Sequence, residues 1–171
     1  MNQSSTKIHP LTVIDDTAQI GKGVIVWQFA SVLADVVIGN GVSIGAGAEI
    51  GHGTRIGNNS RIGSGVFIPA NAIIGNYVFI GPRTTFTDDR NPRVNNPDYL
   101  AEPPRVKDHA RIGAGCVILP GVTLGINCLV GAGSVVTDDV PDGGKVYGEK
   151  AKLREVGYKH LSREYGWVGG A

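Results

Sequence analysis

Apolar residues recur at every sixth position over residues 8–86 of this chain. The unbroken series is Ile8, Ile14, Ile20, Val26, Val32, Ile38, Ile44, Ile50, Ile56, Ile62, Ile68, Ile74, Ile80 and Phe86. Neither an α-helix nor a simple amphipathic strand has a period of six residues. Four residues after each of the first thirteen of these positions stands a small or β-branched residue, such as Ala18 or Val24. Two positions in every six therefore point inward, which predicts a parallel β-helix of hexapeptide repeats with about three repeats per triangular coil.

The period fails once, between Phe86 and Val106. It then resumes out of phase through Ile112, Ile118, Leu124, Val130 and Val136. The interruption is polar and rich in proline, so we expect residues 87–105 to protrude as a loop, where functional residues concentrate. The expected fold is all-β, with about seven triangular coils in a domain over residues 1–144. Residues 145–171 are expected to form a C-terminal extension that is a short helix or irregular.

Composition argues against several classes of partner. Sixteen Lys and Arg stand against 15 Asp and Glu, so a basic nucleic-acid surface is not expected. Residues 1–7 are polar and lack the apolar core of a signal peptide, and no apolar run is long enough to cross a bilayer. These features predict a cytoplasmic protein without membrane insertion. Cys116 and Cys128 both fall on the small inward position of the repeat, which predicts buried, reduced thiols.

Several short motifs carry a family resemblance. They are Ile8-His9-Pro10, Trp27-Gln28-Phe29, Ile80-Gly81-Pro82 and Phe86-Thr87-Asp88-Asp89-Arg90-Asn91-Pro92-Arg93. With these motifs the chain resembles the left-handed β-helix acyltransferases from Ile8 to about Lys152, and especially the N-acetyltransferases that acylate the 3-amino group of nucleotide-linked amino sugars. It departs from them at Gln28, where the subfamily has His, and at Asp88, where it has Asn. The resemblance implies left-handed winding and a role in bacterial surface polysaccharide biosynthesis.

The same resemblance implies a cosubstrate and an assembly. Acetyl-CoA is expected to lie in a groove between the subunits of a homotrimer, and no metal is expected. The cofactor-binding residues implied are Ala114, Ala132, Thr137, Lys152 and Arg154. Small residues allow a close approach of the ligand to the backbone, while Lys and Arg supply charge-assisted hydrogen bonds to phosphate.

The loop provides the candidate catalytic residues. Asp88 is expected to orient the acceptor amine, with Asn91 as a neutral hydrogen-bonding neighbour. Whether Asp88 also accepts the proton of the amine or only orients it is left open by the sequence. The loop contains no histidine, whereas the related O-acetyltransferases carry a catalytic histidine there. An amine needs less activation than a hydroxyl, so this favours N-acylation. The expected substrate-binding residues are Arg83, Arg90 and Arg93, which suit a nucleotide diphosphate or a sugar carboxylate, together with Trp27 and Gln28.

Three alternative functions are consistent with a repetitive β-helix. The first is an O-acetyltransferase of the same fold. The second is a gamma-type carbonic anhydrase, which needs three zinc-binding histidines, whereas the coils offer only His52 and His109. The third is a non-catalytic binding solenoid, since fold alone does not determine function. The polar loop and the Gly-Ala-Gly corners at residues 113–115 and 131–133 favour an enzyme over this third alternative.

Overall fold

The computed structural model describes residues 5–148 of the chain. It contains 21 β-strands of two residues each, joined by tight turns. In each strand the second residue points into the solenoid, while the first points outward. In every strand but the last, this second residue holds the period-six position. Val26, for example, is buried, whereas Arg61 on the outer surface is exposed. The strands are short because the chain turns at an edge of the solenoid after every second inward position.

The strands form three parallel sheets, which we name A, B and C. Sheet A contains β1 (Lys7–Ile8), β4 (Ile25–Val26), β7 (Ser43–Ile44), β10 (Arg61–Ile62), β13 (Phe79–Ile80), β16 (Arg111–Ile112), β19 (Leu129–Val130) and β21 (Lys145–Val146). Sheet B contains β2 (Val13–Ile14), β5 (Ser31–Val32), β8 (Glu49–Ile50), β11 (Phe67–Ile68), β14 (Thr85–Phe86), β17 (Val117–Ile118) and β20 (Val135–Val136). Sheet C contains β3 (Gln19–Ile20), β6 (Val37–Ile38), β9 (Arg55–Ile56), β12 (Ile73–Ile74), β15 (Arg105–Val106) and β18 (Thr123–Leu124).

The chain visits sheets A, B and C in turn, so the molecule is a three-sided solenoid. Each strand pairs in parallel with the strand one coil later, as Arg61 pairs with Phe79. We name the edges after the sheets that they join: edge AB at residues 27–29, edge BC at 33–35 and edge CA at 39–41, each repeated in every coil. The predicted all-β fold of stacked hexapeptide coils is confirmed. The left-handed winding stays a prediction.

The interior is filled by the two inward positions of each repeat. Phe86 is the largest of the fully buried side chains, and branched aliphatic residues fill most of the remaining space. Three buried hydroxyls, those of Thr54, Ser60 and Thr84, donate to carbonyls of the next coil, as when Ser60 Oγ donates to Gly75 O at 2.8 Å. Cys116 and Cys128 are free thiols in this core, which confirms the prediction of buried, reduced cysteines. Burial raises the pKa of the Cys128 thiol above its ordinary value.

Edge CA carries a ladder of side-chain amides along the solenoid. The backbone N–H of Asn40 donates to Asn58 Oδ1, that of Asn58 to Asn76 Oδ1, and that of Asn76 to Asp108 Oδ1, each at 2.8 Å. We call this the amide ladder. The coils are so close at this edge that a Cβ at Gly57 would lie 2.6 Å from the carbonyl carbon of Gly75. The ladder satisfies turn N–H groups that no sheet can reach.

Two boundaries differ from the sequence prediction by a few residues. Arg105, expected in the loop, is the first residue of β15 and pairs with Ile73, so the loop comprises residues 87–104. Lys145 and Val146, expected outside the solenoid, form β21 and pair with β19, because Val146 still packs against the core. The helix expected in the C-terminal extension lies outside the described residues. Within residues 5–148, no helix has the length and apolar character needed to cross a membrane.

Candidate active site

Edge AB aligns the middle turn residues of six successive coils in one column. These residues are Gln28, Ala46, Ser64, Pro82, Ala114 and Ala132. Backbone hydrogen bonds fix the alignment between successive coils. The carbonyl of each of the first five residues accepts a hydrogen bond from the last turn residue of the next coil, as when the N–H of Gly47 donates to Gln28 O at 3.0 Å. Coils in a parallel solenoid are spaced by about 4.8 Å, so the column is about 24 Å long. A long, narrow ligand can contact several coils along this edge.

A groove of about 440 Å³ lies at the amino-terminal end of this column. Its lining comprises Trp27, Gln28, Ser43, Gly45, Ala46, Arg61, Ile62, Gly63, Ser64, Phe79 and Pro82. The half-exposed ring of Trp27 and the ring of Phe79 supply aromatic surface, and Arg61 supplies a positive charge. The structure thus brings the predicted substrate-binding residues Trp27 and Gln28 together in one groove.

The column continues past the loop coil to Ala114 and Ala132, both of which are exposed. Each is followed by a glycine with positive φ, Gly115 or Gly133, and a Cβ built on either glycine would meet no atom within 4 Å. Open space therefore flanks both alanines. Thr137, the third predicted cofactor residue, lies instead on edge BC, where its Oγ1 donates to Asp138 Oδ2 at 2.7 Å.

The other predicted cofactor residues, Lys152 and Arg154, lie outside the described residues. The structure therefore describes the positions of three of the five predicted cofactor-binding residues. It places two of those three on the same edge as the groove and the third on another edge.

The loop leaves the solenoid at edge BC, and a clamp at its base joins its two ends. Arg90 Nε and Nη2 donate to the two carboxylate oxygens of Glu102 at 3.0 and 2.9 Å, and Nη2 also donates to Pro120 O at 2.9 Å. The N–H of Gly121 donates to Glu102 O at 2.7 Å. The hydrogen bonds from Arg90 lower the pKa of the Glu102 carboxyl below its ordinary value. We call Arg90, Glu102, Pro120 and Gly121 the loop clamp.

Beyond the clamp, the loop folds on itself through short-range contacts. Arg93 donates from Nε to Asn96 Oδ1 at 2.9 Å and from Nη2 to Asp98 Oδ2 at 2.8 Å. The N–H of Asn91 donates to Asp89 Oδ1 at 2.8 Å, which is a turn formed by the aspartate side chain. Arg90 and Arg93, both predicted to bind substrate, are thus engaged within the chain in this structure.

Asp88 lies half-buried at the start of the loop and is held at two points. Its carbonyl accepts the N–H of Glu102 at 2.8 Å, and its Oδ2 accepts a hydrogen bond from Tyr99 Oη at 3.0 Å. The hydrogen bond to Asp88 is the main cause of a raised pKa for the Tyr99 phenol. Partial burial and the negative charges of Asp88 and Asp89 raise it further. The predicted catalytic carboxylate therefore has a fixed partner that sequence reasoning did not identify.

The predicted site residues are divided between two edges of one chain. Trp27, Gln28 and Arg83 lie on edge AB, while Asp88 and the other loop residues lie on edge BC. Sheet B separates the two edges. One chain therefore keeps Trp27, Gln28 and Arg83 apart from Asp88, whereas Arg90 and Arg93 lie in the same loop as Asp88.

Sequence reasoning missed Arg61 and Phe79 in the groove and Tyr99 beside Asp88. The first two could have been found, because they are the outward residues of strands exactly one coil apart in sheet A. No sequence pattern identifies Tyr99, since the loop has no repeat from which the direction of the Tyr99 side chain could be inferred.

The two coil histidines lie on different edges. His109 stacks on Tyr77 at edge CA, with parallel rings whose centroids are 5.1 Å apart. His52 lies on edge BC, with Nδ1 3.7 Å from Asp35 Oδ2. Among residues 5–148 of a single chain, no three His, Cys, Asp or Glu side chains are grouped as they would be around a metal ion.

Comparison with known families gives a clear match for the repeats. The family described as "Bacterial transferase hexapeptide (six repeats)" matches residues 17–52, 53–88 and 103–138, which is more than half of the chain. The chain belongs to this hexapeptide transferase family. A second description, "Hexapeptide repeat of succinyl-transferase", matches residues 35–70. The gap between the matched segments, residues 89–102, falls within the loop.

Individual relatives of this chain include an O-acetyltransferase and an N-acetyltransferase. A galactoside O-acetyltransferase from Lactococcus lactis is 38% identical over 58 residues, which is 32% of this chain and 28% of the relative. A tetrahydropyridine-dicarboxylate N-acetyltransferase from Staphylococcus aureus is 47% identical over 53 residues, or 31% of this chain and 22% of the relative. The chain thus spans less than a third of the length of either relative.

A solved structure is similar over a larger part of the chain. PerB from Caulobacter crescentus, determined with CoA and GDP-perosamine, is 27% identical with a TM-score of 0.54. The similarity covers 90% of this chain and 58% of the PerB chain. The likeness therefore extends over the coils on both sides of the loop.

Proposed function

We propose that this protein is an acetyl-CoA-dependent N-acetyltransferase that acts on the amino group of a nucleotide-linked amino sugar. The observation that carries the proposal is the similarity over 90% of the chain to PerB, a protein whose structure contains CoA and GDP-perosamine. The 3-amino position of the sugar is our preferred acceptor, on the motif resemblance around Trp27 and Asp88. The proposed product would serve bacterial surface polysaccharide biosynthesis, and the proposed location of the reaction is the cytoplasm.

The groove on edge AB suits the nucleotide end of such a substrate. Trp27 and Phe79 offer aromatic surfaces on which a base can stack, and Arg61 offers charge-assisted hydrogen bonds to phosphate. Gln28, at the same edge, can bond to the sugar or the base. Arg83, which lies farther along the same edge, extends this positive charge toward the loop coil. These residues would bind the nucleotide without participating in the chemistry.

Acetyl-CoA is proposed to lie farther along the same column, against Ala114 and Ala132. The open space beside Gly115 and Gly133 admits a chain of small cross-section close to the backbone. Thr137, Lys152 and Arg154 remain candidates for the phosphates. This arrangement places donor and acceptor substrates end to end along edge AB.

The proposed reaction is a direct transfer with no covalent enzyme intermediate. The lone pair of the sugar amine attacks the thioester carbonyl carbon, and a C–N bond forms. Asp88 accepts a proton from the amine, and Asn91 can hydrogen-bond to the acceptor. Collapse of the tetrahedral intermediate breaks the C–S bond, and the CoA thiolate leaves with the electron pair and takes up the proton. Backbone N–H groups at a solenoid edge would stabilise the intermediate oxyanion.

A complete site is proposed to need more than one subunit. The substrate column is on edge AB and Asp88 is on edge BC, with sheet B between them. A homotrimer, in which the loop of one subunit reaches the edge AB of its neighbour, would unite the two sets. Light scattering of the purified protein would measure the subunit number.

The decisive experiment is turnover with a panel of amino sugars linked to UDP, dTDP or GDP, with the amine at position 3 or 4, monitored by thiol release. We expect acetylation of one class and a loss in kcat of about 100-fold in Asp88→Ala, with little change in the KM for acetyl-CoA. Asp16→Ala, on an exposed turn remote from the loop, is the matched control and should retain the parent kcat. An unchanged kcat in Asp88→Ala would remove Asp88 from the chemistry.

O-acetylation is the second candidate, favoured by the 38% identity to a galactoside O-acetyltransferase over 58 residues. Hydroxyl analogues of each amino sugar in the panel would separate the two functions. Turnover of the hydroxyl sugar at a rate equal to that of the amine would favour the O-acetyltransferase.

A further inference from the structure

The loop clamp fixes the backbone at the start and the end of the loop, and Asp88 is part of the same base. The backbone carbonyl of Asp88 accepts the N–H of Glu102 at 2.8 Å, and Arg90 in turn donates two hydrogen bonds to the Glu102 carboxylate. The main chain at Asp88 is therefore positioned by the solenoid. Its carboxylate still needs a partner to select one orientation, because an aspartate side chain can rotate about two torsions.

Tyr99 is that partner. It lies eleven residues along the loop, and its hydroxyl reaches back to donate to Asp88 Oδ2 at 3.0 Å. The backbone leading to Tyr99 is itself held, since the N–H of Tyr99 donates to Asn96 O at 3.3 Å and the N–H of Asp98 donates to Asn96 Oδ1 at 3.1 Å. No hydrogen-bond donor from residues 5–148 is assigned to the other oxygen, Oδ1, of Asp88. The hydrogen bond from Tyr99 therefore engages Oδ2 of Asp88 and leaves Oδ1 available as an acceptor.

We propose that Tyr99 is a positioning residue that holds Oδ2 of Asp88, so that Oδ1 of Asp88 faces the acceptor amine. This inference rests on the proposed N-acetyltransferase function and assigns a residue that the motif resemblance does not include. One proton leaves the amine as the C–N bond forms, so one free carboxylate oxygen is enough to accept it. Tyr99 keeps its own proton throughout, in line with its raised pKa, and acts only through Asp88.

The kinetic test is a double-mutant cycle between Tyr99→Phe and Asp88→Ala. Tyr99→Phe removes only the hydroxyl, so we expect kcat to fall by about tenfold while the KM for acetyl-CoA stays unchanged. In the Asp88→Ala background, Tyr99→Phe should change kcat by less than about twofold, because the carboxylate that the Tyr99 hydroxyl positions is absent. An unchanged kcat in Tyr99→Phe, or an equal loss in both backgrounds, would overturn the inference. Tyr77→Phe, on edge CA, is the matched control.

A spectroscopic test separates this inference from the proposed function. Tyrosinate absorbance is followed against pH, and the curve of Tyr99→Phe is subtracted to isolate Tyr99. Asp88→Ala should shift the Tyr99 titration to lower pH, since removal of the carboxylate removes the main cause of its raised pKa. No shift would overturn the Asp88–Tyr99 contact regardless of activity. A shift together with no turnover of any amino sugar would instead overturn the proposed function and keep the contact.

Discussion

The coils and the loop are held together by different kinds of contact. In the coils, polar contacts join residues one coil apart, as in the amide ladder from Asn40 to Asn58. In the loop, most side-chain contacts join residues close in sequence, as between Arg93 and Asp98. The contacts with the neighbouring coil come from the base of the loop, through the clamp and through Thr87, whose Oγ1 donates to Ile118 O at 3.0 Å. The structure of the coils therefore depends on contacts between neighbouring coils, whereas the structure of the loop depends mainly on contacts among its own residues. A substitution in the loop can alter the chemistry and leave the stability of the solenoid intact.

The largest expected effect tests the dependence of the coils on stacking. Phe86 is fully buried in the coil from which the loop departs. Phe86→Ala should lower the free energy of unfolding by about 3–5 kcal/mol, because it removes buried apolar surface and leaves a cavity. Val94, which is 90% exposed in the loop, provides the control, and Val94→Ala should leave the unfolding free energy unchanged. Denaturant unfolding measures both, and equal values would contradict the comparison.

A smaller effect is expected from a buried hydroxyl in the coils. Ser60 Oγ donates to Gly75 O at 2.8 Å and accepts the N–H of Val78 at 3.0 Å. Ser60→Ala leaves both buried backbone groups without this partner and should cost about 1–3 kcal/mol by denaturant unfolding. Ser64→Ala, on the outer surface of edge AB, is the stability control. A loss below the error of the measurement would mean that water replaces the hydroxyl.

The loop clamp provides a test on the other side of the comparison. Arg90→Gln breaks the paired hydrogen bonds to Glu102, so we expect faster hydrogen exchange across residues 87–104 with no change in Tm. Arg83→Gln, on edge AB, should leave loop exchange unchanged and raise the KM for the nucleotide sugar. If Arg90→Gln raised that KM with loop exchange unchanged, Arg90 would be a substrate ligand in the active assembly.

The smallest effect is an acid sensitivity confined to part of the amide ladder. Hydrogen bonds from the N–H and side-chain amide of Asn76 lower the pKa of Asp108 below its ordinary value of 3.8. A depressed carboxyl pKa stabilises the fold above the unfolded pKa, and this contribution is lost as pH falls through the folded pKa. Tm should therefore fall below about pH 4 in the parent protein and fall less in Asp108→Asn. Identical Tm profiles of the two proteins against pH would contradict this assignment.

The fold could be predicted almost completely from the sequence, and the reason is the repeat. A residue such as Ile44 has the same environment as its counterparts in the other coils, so the period alone identifies the inward positions. The same period locates the loop, because its first interruption lies between Phe86 and Val106. The boundary at residue 144 was placed too early, since Val146 follows a turn that does not keep the six-residue spacing.

The candidate site could be predicted only in part. The period places Trp27 and Ala114 at turns, and counting the repeats in threes puts both on one edge and the start of the loop on another. The loop contacts had no comparable pattern, because the direction of Tyr99 or Arg90 depends on backbone torsions that no repeat constrains. The proposed union of edge AB with Asp88 would depend on a second copy of the chain, which a single sequence does not describe.

The amide ladder has a consequence for how such a molecule can change in evolution. Because Asn40, Asn58 and Asn76 repeat the same hydrogen bond in successive coils, a duplication or deletion of one of these coils, about 54 bases of coding sequence, would leave the remaining ladder in register. The distance from the aromatic groove to the loop can then change only in increments of about 4.8 Å. Descendants of this protein could acquire longer or shorter substrates by inheriting a different number of coils, without altering any residue that touches the ligand.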